Sequence, residues 1–76
     1  MKLTDLKPQQ VAQLRAIEGD SGFIRRLYDL GFYPGCELKL RKRLGKSGSV
    51  VVGLRSTSYS MRFEEAQMIE VEVKDV

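Results

Sequence analysis

The amino-acid sequence predicts a mainly β fold, a small barrel of about five strands with one inserted α-helix. Three observations predict it. Apolar and polar residues alternate through most of the second half of the chain, the period of a half-buried strand. The connections between these stretches are short, so neighbouring strands pair with each other, and closing the sheet removes exposed edges. One stretch alone, Phe23 to Leu30, spaces its apolar residues as a helix requires.

The lead-in "LTDLKP" reads as a polar segment anchored by Leu3 and Leu6, with Pro8 ending regular local structure. "VAQLRAIEG" has strand composition with imperfect alternation. Ala12 and Leu14 share one parity and Ile17 takes the other, which predicts a bulge before Gly19. In the helix, Asp20 or Ser21 caps the first amides, and Phe23, Ile24, Leu27 and Leu30 form the face that covers the barrel's open end or seam. Gly31 takes the left-handed closing position, and Pro34-Gly35 suits a type II turn.

"CELKLRKRL" comes next, with Leu38 and Leu40 inward and Glu37, Lys39, Arg41 and Arg43 outward. "GKSGS" is its hairpin turn. Val50, Val52 and Leu54 form the inward set of the next strand, and Tyr59, Met61 and Phe63 another, separated by the turn "STS". "EEAQM" makes one helical turn with Glu64 and Glu65 at its amino end. Ile69, Val71 and Val73 alternate with Glu70, Glu72 and Lys74 in the last strand.

Size and composition narrow the function classes. Seventy-six residues make one domain, 1–76, with one modest core and little room for a deep catalytic cleft. No apolar run approaches the roughly 18 residues of a membrane span. The opening "MKLTDLKPQQ" has no hydrophobic stretch behind its lysine, so it is not expected to be a signal peptide. A single cysteine forms no internal disulfide, and the cytoplasm is the default compartment. Cys36 is expected as a small buried apolar side chain.

With no histidine, the commonest neutral-pH base and transition-metal ligand is missing, and one cysteine does not make a zinc site. Glu64 and Glu65 are adjacent, so on a helical turn they point about 100° apart and do not converge on one atom. The sequence therefore predicts no enzyme, no metal site and no cofactor.

"LGKSGS" contains the tail of a phosphate-binding loop, Gly45-Lys46-Ser47. The glycine that pattern needs five positions earlier is Leu40 here, and strand sequence follows where a helix must begin. It is read as a hairpin loop.

The net charge is +3, unevenly spread: Lys39, Arg41, Lys42, Arg43 and Lys46 cluster in the middle, and Glu64, Glu65, Glu70, Glu72 and Asp75 near the end. A basic stripe suits phosphates or an acidic protein surface, or simply a solvated hairpin. Phe32 and Tyr33, on the helix's exit, raise a second question. One is expected inward and the other in a contact surface, and Tyr28 poses the same choice at the helix edge.

These residues carry a family resemblance. "RRLYDLGFYPGCELKL", a hairpin, and then "YSMRFEEAQMIEV" resemble the FeoA family, the small ferrous iron transport protein A of bacteria. The matching features are Arg26-Leu27, Leu30-Gly31, Pro34-Gly35, the alternation of Leu38 and Leu40, Glu65-Ala66 and Ile69. The lead-in and the "IEG" of Ile17 to Gly19 extend the resemblance over nearly the whole chain.

The resemblance implies an SH3-like barrel with an inserted helix. It also implies a cytosolic accessory that acts by protein contact on a membrane ferrous iron transporter with a GTP-binding cytosolic part. Two departures stand out: Gln9 where the family often has glycine, and a longer, more basic hairpin with Arg43 where proline is common. The partner contact is therefore expected on the helix and its exit turn, at Arg25, Arg26, Tyr28, Asp29 and Tyr33. The competing expectation is a basic barrel that binds single-stranded nucleic acid. It is disfavoured because Tyr59, Met61 and Phe63 share one parity and read as core. Barrel edges leave pairing between two copies open.

Overall fold

The computed structural model describes residues 1–45 and 48–74. A single 3₁₀ turn at Leu3–Asp5 leads into strand β1 (Val11–Ile17), helix α1 (Ser21–Leu30), β2 (Glu37–Leu44), β3 (Ser49–Leu54), β4 (Thr57–Arg62), the one-turn helix α2 (Phe63–Ala66) and β5 (Ile69–Val73). The strands form one antiparallel sheet in the order β4-β3-β2-β1-β5. Met61 of β4 and Val71 of β5, from opposite ends of that order, lie in the same buried cluster with Leu14, Leu38, Leu40, Val50 and Val52. The sheet therefore curls around a common core.

Two irregularities help it curl. The predicted bulge in β1 is present between Leu14 and Ala16, where the pairing with β5 shifts. A second, unpredicted shift falls in β2 between Leu40 and Lys42. Arg43 is exposed, as expected, but the shift changes the side of the sheet on which it stands. Past the shift Arg43 pairs with the buried Val50, on the opposite side of the sheet from Lys39, and its Nη2 donates to the carbonyls of Thr4 at 2.8 Å and Leu6 at 2.7 Å. An extra residue flips the side-chain parity, and an alternating sequence carries no mark of it.

Helix α1 is closed at both ends as expected. Asp20 Oδ1 accepts the Phe23 N–H at 2.8 Å. At the other end Gly31 has φ 104°. Its N–H donates to Tyr28 O and the Phe32 N–H donates to Leu27 O, each at 2.9 Å, which is a Schellman closure. That closure corrects the predicted plug. Leu27 is buried, Phe23 and Ile24 are half-buried, but Leu30 is 42% exposed, and the fully buried Phe32 takes its place in the core. Phe32 meets the Tyr59 ring edge-on with centroids 5.2 Å apart. Pro34-Gly35 forms the expected turn, with Gly35 at φ 97° and Cys36 N–H donating to Tyr33 O at 3.0 Å. Cys36 is half-buried against the core, less enclosed than expected, because it lies between the turn and the first residue of β2.

Other expectations shift by one or two residues. The β3–β4 connection is Arg55-Ser56 rather than "STS": Leu54 pairs with Thr57, and Arg55 takes the positive φ of 59° that a tight hairpin imposes. Phe63 is 38% exposed, not core with Tyr59 and Met61. The chain leaves strand geometry at Arg62, so Phe63 opens α2 and the two-residue period no longer applies to it. The hairpin turn expected at "GKSGS" includes Lys46 and Ser47, which lie outside the described residues; Ser49–Leu54 after it is strand, as predicted. No helix among the described residues is long and apolar enough to cross a membrane.

Candidate functional site

Arg25, Tyr28 and Asp29 stand at helical spacings of three and four, and all three are exposed. Their side chains make no hydrogen bond or ion pair among the described residues. Tyr28 is 48% exposed, Leu30 42% and Tyr33 42%, so three large side chains stand out along the helix and its exit turn. The segment carrying them is held firmly by the capped helix ends and the Pro34-Gly35 turn. Gly35 N–H donates to Leu14 O, and Leu14 N–H donates to Cys36 O, each at 2.8 Å, which fastens the turn to β1.

Arg26 is placed differently from its expected companions. It turns toward α2, where its Nη2 lies 2.8 Å from Glu65 Oε2 and its guanidinium sits 5.6 Å from the centre of the Phe23 ring. Glu65 is itself fixed, because its other oxygen accepts the Arg62 N–H at 2.9 Å and closes the start of α2. Arg26 thus clips α1 to α2, and Arg25, Tyr28 and Asp29 form the open face.

Two residues join the site that the sequence did not assign to it. Arg55, on the β3–β4 turn, donates from Nη2 to the Tyr33 hydroxyl at 3.2 Å. Leu30 backs the same region, and its carbonyl accepts from the Tyr59 hydroxyl at 3.4 Å. A groove of about 80 Å³ runs between α1 and β4, lined by Phe23, Leu27, Leu30, Tyr59 and Met61. The signal for Leu30 was its position just before Gly31, where a helix ends and burial stops. Arg55 had none, since its neighbour Tyr33 is distant in sequence.

The fold ties down or encloses part of the basic stripe, while Lys42 stays exposed. Arg43 is committed to two backbone carbonyls. Arg41 lies over Gly53, with its Nε buried and without a hydrogen-bond partner among the described residues. Lys39 is half-buried, and Lys46 lies outside the described residues. No group of three or more His, Cys, Asp or Glu among the described residues is placed to hold a metal ion.

Gln9, the departure from the family's glycine, has φ 71°. It is the third residue of a turn in which Gln10 N–H donates to Lys7 O at 3.0 Å, a position that favours glycine. Its own N–H donates to Leu40 O, and its side-chain amide donates to Arg41 O at 3.0 Å, which ties the turn to β2.

The family model described as the FeoA domain matches residues 1–73. A search of curated protein sequences gives no match. Among solved structures, the FeoA protein of Chlorobium tepidum superposes with a TM-score of 0.89 at 30% identity, covering 96% of this chain and 70% of that one. Iron(II) transport protein A of Clostridium thermocellum gives 0.87 at 30% identity, covering 96% of this chain and 45% of that one. The FeoA of Stenotrophomonas maltophilia, solved with zinc and described as an SH3 domain protein, gives 0.80 at 25% identity, covering 95% and 89%. The architecture is therefore an SH3-like sheet of five antiparallel strands with one inserted helix. The chain belongs to the FeoA family, which is associated with ferrous iron transport.

Proposed function

We propose that this chain is a cytosolic accessory of ferrous iron uptake that docks on the GTP-binding cytosolic part of a membrane ferrous iron transporter, with no catalysis of its own. The S. maltophilia relative is described as a candidate activating factor for bacterial ferrous iron transport, which agrees with this role. The contact is made by α1 and its exit turn: Arg25, Tyr28, Asp29 and Tyr33, with Arg26 at the margin.

The observation that carries this reading is the exposure of Tyr28 and Tyr33 on a segment that is otherwise locked in place. Exposed tyrosines on a rigid support bury a large area on docking at small entropic cost. The competing nucleic-acid reading needs free cations, and Arg43 and Arg26 are committed to Thr4, Leu6 and Glu65.

The test is a binding titration of the transporter's soluble GTP-binding portion. Tyr28→Ala or Tyr33→Ala should weaken binding about tenfold or more, and reversing Arg25 or Asp29 should have a smaller, salt-sensitive effect. Unchanged affinity in folded variants removes these residues from the contact.

A further inference from the structure

The register shift in β2 moves Arg43 to the other side of the sheet and gathers three other cations on one face. Lys39 pairs with Gly53 and Lys42 with Val51, two residues apart on β3, so both lysines stand on the same side. Arg41, the extra residue between them, stands there too, because a Cβ on Gly53 would come within 2.6 Å of its Nε. This is the face away from the core, since Leu40 and Val52 pair on the buried side. Plain alternation would have sent Lys42 inward. Beside the three cations opens a cavity of about 200 Å³, lined by Val11, Glu37, Leu38, Lys39, Gly53 and Arg55. Its one acid, Glu37, is paired with Lys74 at 2.7 Å, whereas Lys39, Arg41, Lys42 and Arg55 make no ion pair among the described residues. Gly53 has no positive φ, so its backbone does not call for glycine. The space does: a methyl there would strike the Arg41 side chain.

We propose that this concavity binds a phosphate or diphosphate group, with Gly53 as its floor and Lys39, Arg41 and Arg55 as its cationic walls. Four cations gathered around one neutralised carboxylate repel each other, and a multiply charged oxyanion offsets that repulsion. Gly53 both lines the cavity and seats Arg41, so the guanidinium is held at the cavity's margin. Its Nε is buried without a partner, and its side chain donates to no group among the described residues, which leaves the fork of the guanidinium for an anion. Arg55 is held in place by its bond to the Tyr33 hydroxyl, 3.2 Å. At about 200 Å³ the cavity is smaller than the roughly 300–1,000 Å³ of sites that enclose a whole small molecule. That size suits a compact anion and not a length of acidic chain. The inference does not depend on the docking role of α1.

The test is an NMR titration of the full chain with inorganic phosphate and with pyrophosphate at low chloride. Pyrophosphate should half-saturate the chain below about 2 mM, with the amide shifts concentrated at Lys39, Arg41, Lys42, Gly53 and Arg55. Gly53→Ala keeps every charge and strains no backbone, but its methyl pushes Arg41 off its seat, so it should weaken binding about tenfold or more. Arg41→Gln should weaken it equally and serves if the alanine variant does not fold, which circular dichroism checks. A nucleoside diphosphate that binds more tightly than pyrophosphate would identify the phosphate as part of a larger ligand resting on Val11. Equal binding would identify free phosphate or diphosphate as the ligand. Weaker half-saturation than about 2 mM, or shifts spread evenly over all lysines and arginines, overturns the inference. So does an affinity unchanged in folded Gly53→Ala, or a preference for a polyglutamate peptide over pyrophosphate.

Discussion

The two edges of the sheet show how one fold covers one edge strand with a backbone-bonded segment and flanks the other with a helix. At β5, chain and charge work together. The Met1 ammonium lies 2.6 Å from Glu70 Oε2, and Lys2 Nζ lies 3.2 Å from Glu18 and 3.4 Å from Glu70. At β4 no chain segment pairs beyond the outward Ser58 and Ser60 among the described residues, and helix α1 faces the strand across the groove instead. The difference teaches that edge protection here is local: it comes from whichever segment the topology delivers, and the lead-in is delivered to β5 alone.

The largest expected effect tests whether both edges share one core. Phe32→Ala removes the ring that packs on Tyr59, and by the usual cost of emptying such a site it should destabilise the domain by about 3–5 kcal/mol in denaturant unfolding. A loss well under 1 kcal/mol would show that β4 does not depend on this plug.

Amide hydrogen exchange probes the edges directly. In dilute protein the Val71 N–H, bonded to Met1 O, should exchange about 100-fold more slowly than those of Ser58 and Ser60. Equal rates would erase the contrast.

A smaller effect is expected at the turn that carries the lead-in. Gln9→Gly relieves the left-handed backbone but gives up the side-chain bond to Arg41 O, so a net gain of about 0.5–1 kcal/mol is expected in thermal unfolding. A destabilised variant would mean that the tie to β2 outweighs the strain.

The smallest effect is electrostatic. The Glu70 carboxyl is held below its ordinary value of 4.5, chiefly by the hydrogen bond from the N-terminal ammonium and further by Lys2. A depressed carboxyl adds stability above its unfolded value and loses it as pH falls through the folded value, so the contribution disappears on the acid side of 4.5. Lys2, raised above 10.5 chiefly by its hydrogen bond to Glu18, works in the opposite range: its contribution is present below 10.5 and is lost as pH climbs through the folded value. An NMR titration should place the Glu70 midpoint below 4.5, and N-terminal acetylation should move it upward. An unmoved midpoint would remove the ammonium from the covered edge.

Much of this was legible in the chain because it rests on local rules. The Asp20 cap, the Gly31 closure, the Pro34-Gly35 turn and the β1 bulge each follow from a residue type and its immediate neighbours. Arg43, Leu30 and Phe63 were misplaced for a common reason: each sits where one periodicity gives way to another, at a bulge, a helix end or a strand-to-helix join. Within the candidate site, Arg25, Tyr28 and Asp29 were readable as an outward helical face. The diversion of Arg26 to Glu65 and the arrival of Arg55 at Tyr33 were not, because the partners are 39 and 22 residues apart.

The sequence by itself determined which segments become strands, where the one long helix starts and stops, and which family the chain resembles, since periodicity, caps and turn residues act over a few positions. Only the tertiary structure decided that Phe32 replaces Leu30 in the core, that Arg43 is tied to the lead-in, and that β4 is flanked by a helix where β5 is bonded to a chain segment. Those outcomes depend on which distant segments the curled sheet brings side by side, and no local pattern encodes that.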